Sequence, residues 1–141
     1  MRLPEGVTEV RGAERSRREY PHKDVTERII GCAIAVHREL RAGYVEAVYE
    51  NALAHELNKQ GIGVERQKVL VVHYDGVPVG EHRADLLVEG KTVVELKAVS
   101  EFTDQHMAQI MSTMRAASVR VGLLINFAAA RLVDGVKRVV M

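Results

Sequence analysis

The spacing of apolar residues changes twice along this chain. From Asp24 it is helical: Val25, Ile29, Cys32, Val36 and Leu40 stand four, three, four and four apart and line one helix face. Asp24 suits the start of this helix and Gly43 its end. A second helix is predicted over roughly Val45 to Gln60, with Val45, Val48, Ala52, Leu53 and Leu57 apolar and Gly61 as its stop. The pattern then becomes that of strands. Lys68 to Tyr74 (KVLVVHY) is β-branched and apolar, Asp75-Gly76 is a hairpin turn, and Val77 to Val88 returns. Pro78 falls near the start of that return strand, where an edge or turn position tolerates it. Thr92 to Val99 predicts a third strand. Thr103 then caps a helix to about Ala117, with Met107, Ile110, Met111 and Met114 on its apolar side. Arg120 to Phe127 (RVGLLINF) reads as a buried strand, and Val136 to Met141 as a short final one. The predicted order is ααβββαββ, an α/β domain over residues 23–141.

Residues 1–22 show no sustained period and are expected to form a mobile polar arm. Their basic cluster, Arg11, Arg15, Arg17 and Arg18, is diluted by Glu14 and Glu19 and reads as solvated rather than as a phosphate contact.

Composition narrows the classes. A chain of 141 residues with 47% hydrophobic content builds one core, and a net charge of +1 provides no global basic field. A nucleic-acid partner would need positive charge gathered on one face. The single Cys32 excludes an internal disulfide framework or a cysteine-based zinc site. No apolar stretch approaches the ~20 residues that cross a bilayer. The N-terminus lacks the apolar centre of a signal peptide, so a soluble cytoplasmic protein is expected.

Three charged residues sit inside apolar strands: Asp85, Glu95 and Lys97 in HRADLLVEGKTVVELKA. Glu95 and Lys97 share a strand face. Asp85 joins them only if the turn at 89–91 has odd parity, through a three-residue loop or a bulge; a two-residue loop would place the carboxylates on opposite faces. Converging carboxylates repel unless a cation lies between them, and oxygen donors of this kind favour Mg2+ or Mn2+. A lysine beside them is placed to orient or deprotonate an attacking water and to stabilise charge building on a phosphate. These parts suit phosphodiester hydrolysis. The competing reading is a cross-strand salt bridge, and spacing alone does not choose between the two.

The D-(x)9-E-x-K pattern, with strands carrying both parts, resembles the PD-(D/E)XK nuclease superfamily. Gly43-Tyr44-Val45-Glu46-Ala47-Val48-Tyr49 fits the G-x-x-E-x-x-Y signature of its GxxExxY family. The segments TERIIGCAIAVHRELRAGYVEAVYENAL, HRADLLV, VVELKA and VGLLINF agree with it, from residue 24 to the C-terminus. The resemblance implies a restriction-endonuclease-like fold, a mixed central sheet flanked by helices. It implies Asp85 and Glu95 as metal ligands, the Leu96 carbonyl as a further ligand, Lys97 as the catalytic lysine, and Glu46 as the helix-borne acid completing the site. The spacing of Glu46, Tyr49 and Leu53 on one helix face lets Tyr49 buttress Glu46 or meet substrate, against a plainer role in the core. Gln109 matches the first position of a Q-x-x-x-Y pattern that places substrate; Thr113 stands where its tyrosine would be. The proline of the PD motif is replaced by Ala84. His106 and Arg83 are candidate phosphate contacts, Arg83 because it would share a face with Asp85.

The function expected is divalent-metal-dependent cleavage of nucleic acid, DNA favoured, held through backbone phosphates. With two Phe, four Tyr and no Trp, extended base stacking is not supported. Two other readings stand beside it: a nuclease-like module without catalysis that binds nucleic acid or protein, and a metal site acting on another phosphate ester. An exposed β edge also allows a homodimer.

Overall fold

The computed structural model describes residues 3–11 and 22–141. Its elements are β1 (Thr8–Arg11), α1 (Lys23–Leu40), α2 (Glu46–Lys59), β2 (Val64–Tyr74), β3 (Val77–Val88), β4 (Thr92–Lys97), α3 (Asp104–Ala117), β5 (Val121–Asn126) and β6 (Val136–Val140). The strands form one mixed six-stranded sheet in the order β1-β6-β5-β4-β3-β2. β4 and β5 are parallel, with α3 as their crossover, and β1 is parallel to β6; the remaining pairs are antiparallel. This is the α/β architecture that the sequence pattern predicts.

Helices cover both faces. Ile29, Ile30 and Val36 of α1 and Tyr49, Leu53 and Leu57 of α2 pack on Leu86, Val94, Leu96, Leu123 and Ile125. On the other face, Ile110 and Met114 of α3 meet Leu70, Ala84, Leu87, Val93, Leu124 and Val139. β5 is buried along its whole length because both faces are covered, which is why it reads as an unbroken apolar run. At Gly122 the helix comes close: a Cβ there would stand 2.9 Å from Met114 Sδ.

One strand is additional to the sequence prediction. Within the expected N-terminal arm, Thr8–Arg11 pairs with Lys137 to Val140 as the edge strand β1. Glu9 explains it: its carboxylate pairs with Arg11 at 2.9 Å and with the fully buried guanidinium of Arg138 on β6. A buried arginine without a carboxylate would be costly, so β1 is held by charge compensation more than by apolar pattern. Arg15, Arg17 and Arg18 lie outside the described residues.

The β2–β3 hairpin closes at Asp75 and Gly76, both with positive φ as a primed turn requires. β4 pairs with β3 only over Leu86 to Val88. Pro78 therefore pairs with His73 of β2, and the β3–β4 ladder does not reach it.

Candidate active site

Turn parity decides whether the two strand carboxylates meet. Val88 pairs with Thr92, which leaves a three-residue loop of Glu89, Gly90 and Lys91. Glu89 and Gly90 both have positive φ, and Lys91 N–H donates to the Val88 carbonyl at 3.0 Å. The odd parity that a joint site demands is met. Continuing the register past Leu86↔Val94 brings Asp85 opposite Glu95.

The ladder stops at that point, and a side chain replaces its next rung: Leu96 N–H donates to Asp85 Oδ2 at 2.9 Å. The alternation of β3 also reverses here. Ala84 packs beneath α3, whereas Leu86, two residues on, packs beneath α1 and α2. Across from Asp85 the β2–β3 pairing skips from Arg66↔Leu86 to Lys68↔Ala84, and the skipped residue, Gln67, has φ 48. A left-handed residue inside a strand is strained, and such strain collects at functional sites.

Glu95 is 5% exposed, and its Oε1 is one of two buried side-chain oxygens without a hydrogen-bond partner among the described residues. Its pKa is pushed up to about 8, first by burial and then by the charge and hydrogen bond of Asp85; Thr113 and Lys97 pull it the other way. Lys97 is half-buried, and its amine donates to Gln109 Oε1 on α3 at 3.4 Å. Asp85, Glu95, Lys97, Gln109 and Thr113 thus meet where β3 and β4 part.

These donors fit a divalent cation. Two carboxylates in contact, one driven toward its neutral form and carrying an unpartnered oxygen, are what such an ion would compensate. Among the described residues no three His, Cys, Asp or Glu side chains cluster closely enough to hold a metal ion, so a cation here would draw its remaining donors from backbone carbonyls and waters.

Other expected site residues fall elsewhere. Glu46 is exposed in the first turn of α2 and lines a shallow depression with Tyr44 and Ala98, just past Lys97. Leu96 buries its side chain in the core while its backbone lies against Asp85. His106 closes the start of α3: Thr103 N–H donates to its Nδ1 at 3.1 Å, and its own N–H donates to Thr103 Oγ1. A ring held in a capping box explains the position without a phosphate. Arg83 corrects the expectation that it shares a face with Asp85. The reversal separates them, and Arg83 stands exposed opposite Val69.

Tyr49 is a core residue, not a substrate contact. It is fully buried and stacks on Phe127 with centroids 4.5 Å apart; its hydroxyl donates to the Arg41 carbonyl and accepts from Tyr44 N–H. Tyr49→Phe strands that carbonyl and amide. We expect a loss of about 1–2 kcal/mol in denaturant-induced unfolding, with cation affinity unchanged.

Two residues escaped sequence reasoning. Gln67 Nε2 donates to Glu50 Oε1 of α2 at 2.6 Å and reaches Asp85 Oδ1 at 3.5 Å. Glu50 also pairs with Arg66 at 3.1 Å. The strained residue therefore ties a helix carboxylate to the strand aspartate. No local pattern marks Gln67, because its role comes from its backbone angle.

A family model described as the PD-(D/E)XK nuclease superfamily matches residues 23–139. No curated protein and no solved structure matches the chain.

Proposed function

Because the chain belongs to the PD-(D/E)XK nuclease superfamily, whose members are typically metal-dependent nucleases, we propose that it hydrolyses phosphodiester bonds of nucleic acid, DNA in particular, with Mg2+ or Mn2+. Within the superfamily we place it in the GxxExxY group, on Gly43, Glu46 and Tyr49. The observation that carries the reading is the buried carboxyl of Glu95, with an unpartnered oxygen, on the strand opposite Asp85, whose own carboxylate accepts from Leu96 N–H where the strands part.

Asp85 and Glu95 are the carboxylate ligands, with the Leu96 carbonyl beside them. Glu46 lines a depression with Ala98, the residue after Lys97, and is the helix-borne acid that would complete the site. Gln67 and Glu50 hold Asp85 in place from behind. When bound, the ion would supply Lewis acidity to the phosphate and acidify a water. Lys97, steered by Gln109, donates to a phosphate oxygen as charge builds there and orients the attacking water. Arg66 and Lys68 are already paired with Glu50 and Glu65. Substrate binding through backbone phosphates would be weak and salt-sensitive.

The test is calorimetric titration of wild type and Asp85→Asn with Mn2+ and Mg2+. Wild type should bind, and the variant should lose at least about 100-fold in affinity, since even partners outside the ligand set cost 10–100-fold. Equal binding by both would refute the assignment.

A further inference from the structure

We propose that Tyr44 is a platform on which one unpaired nucleobase of the substrate stacks, so that the protein favours an unpaired nucleotide beside the bond it cuts. The proposal rests on reading the chain as a nuclease centred on Asp85, Glu95 and Lys97. It gives a task to Tyr44, which fills an unspecified position of the G-x-x-E-x-x-Y signature.

Most of the exposed apolar surface lies on one element. Of the eight large hydrophobic side chains exposed among the described residues, Val69, Val71, Val72, Tyr74, Val77 and Val79 belong to the β2–β3 hairpin. The other two, Tyr44 at 52% and Val45 at 71% exposure, stand together at the start of α2. Their place distinguishes them. With Gly43, Glu46 and Ala47 they line a shallow depression of about 490 Å³, and Ala98, the residue after Lys97, lines it too.

The chemistry of this depression selects its occupant. None of the lining side chains is basic and one, Glu46, is acidic, so a phosphate is not the group it takes. What remains of a nucleotide is its flat base. A shallow wall encloses no ligand, but a planar group can lie over an aromatic ring set in it, and every base has such a face. One ring accepts one base, in keeping with a chain that has two Phe, four Tyr and no Trp.

The ring is also held ready. Tyr44 N–H donates to the buried Tyr49 hydroxyl at 3.1 Å, and that hydroxyl donates to the Arg41 carbonyl, so both ends of the turn are tied to one core side chain. The Tyr44 and Tyr49 rings meet at 69° with centroids 6.2 Å apart, edge-on rather than flat. A ring fixed before the base arrives loses little freedom on binding. A base inside a duplex must first be unpaired and unstacked, at a cost, and the preference for an unpaired nucleotide follows from that cost.

The experiment measures binding by the full chain carrying Lys97→Ala, which suppresses cutting, at low salt with Mn2+. Three labelled probes of equal length are used: single-stranded DNA, its duplex, and a deoxyribose–phosphate strand without bases. Adding Tyr44→Ala should cost about 5–100-fold in affinity for the single strand, the range for one lost stack. The duplex and the base-free strand should bind as they do to the parent. Tyr44→Phe should match the parent on all three probes. Tyr44→Leu, apolar but not planar, should lose affinity as Tyr44→Ala does, and it carries the test if Tyr44→Ala does not fold. Parent-like affinity of Tyr44→Ala or Tyr44→Leu for the single strand overturns the platform. Equal losses on the single strand and on either control overturn it too, since a general disturbance of the site weakens all probes alike. A parent that binds none of the probes overturns the nucleic-acid reading itself, and the platform with it.

Discussion

Glu95→Gln should stabilise the metal-free protein while destroying its cation site. The side chain is buried against Asp85, and its pKa is raised from 4.5 to about 8. The sign follows from linkage. Below pH 4.5 the group is neutral in both the folded and the unfolded state and costs nothing. Between about pH 4.5 and 8 the unfolded chain releases the proton and the folded chain keeps it, so stability falls by up to ~1.4 kcal/mol per pH unit. Above about pH 8 the cost levels off at a few kcal/mol. A neutral amide of the same shape removes that slope. Thermal unfolding without metal should show Glu95→Gln melting several degrees above wild type at pH 8 and close to it at pH 4. The same variant should bind Mn2+ at least about 100-fold more weakly, because a ligand is lost rather than a neighbour of one. Wild type should bind more tightly as pH rises toward 8, since the ion must displace a proton from Glu95. A variant less stable than wild type at pH 8 would mean that Glu95 is held by a partner other than Asp85.

Lys97→Ala should separate cleavage from binding. Lys97 is half-buried beside Glu95, with its amine aimed by Gln109. Removing it eliminates repulsion of the cation but also removes a charge that lowers the pKa of Glu95, so two opposed effects leave cation affinity within a few-fold of wild type. Cleavage should fall about 10²–10⁴-fold, the range for a lost proton-transfer or charge-stabilising group. Lys97→Arg should recover little, because a planar fork does not replace a compact ammonium at a crowded carboxylate pair. Steady-state kinetics alongside calorimetry distinguish this from a simple ligand, whose loss would reduce both together.

Much of this was legible in the sequence because it depends on short-range pattern. The three helices, the β2–β3 hairpin and strands β4 to β6 follow from apolar period and turn residues within a few positions of one another. The joint placement of Asp85 and Glu95 reduced to turn parity, a question the sequence could pose without answering. What stayed hidden depends on distant partners or on backbone angles. β1 is polar and four residues long, and it is fixed by Arg138, far along the chain. Regular alternation through Asp85 would put Arg83 on its face, whereas Ala84 and Leu86 pack on opposite faces of the sheet. Glu50 sits one turn beyond Glu46 and carries no signature. His82 and Thr113 meet only because the hairpin crosses α3. Thr113 stands where the pattern has a tyrosine, and its hydroxyl donates to the Gln109 carbonyl.

The most direct test of the account is cleavage of labelled single- and double-stranded DNA by purified wild type with Mg2+, Mn2+ or EDTA, beside Glu95→Ala and Lys97→Ala. Cutting that requires the divalent ion and disappears in both variants is the predicted result. Cutting that persists in EDTA, or in both variants, would place the chemistry away from Asp85, Glu95 and Lys97 and contradict the account.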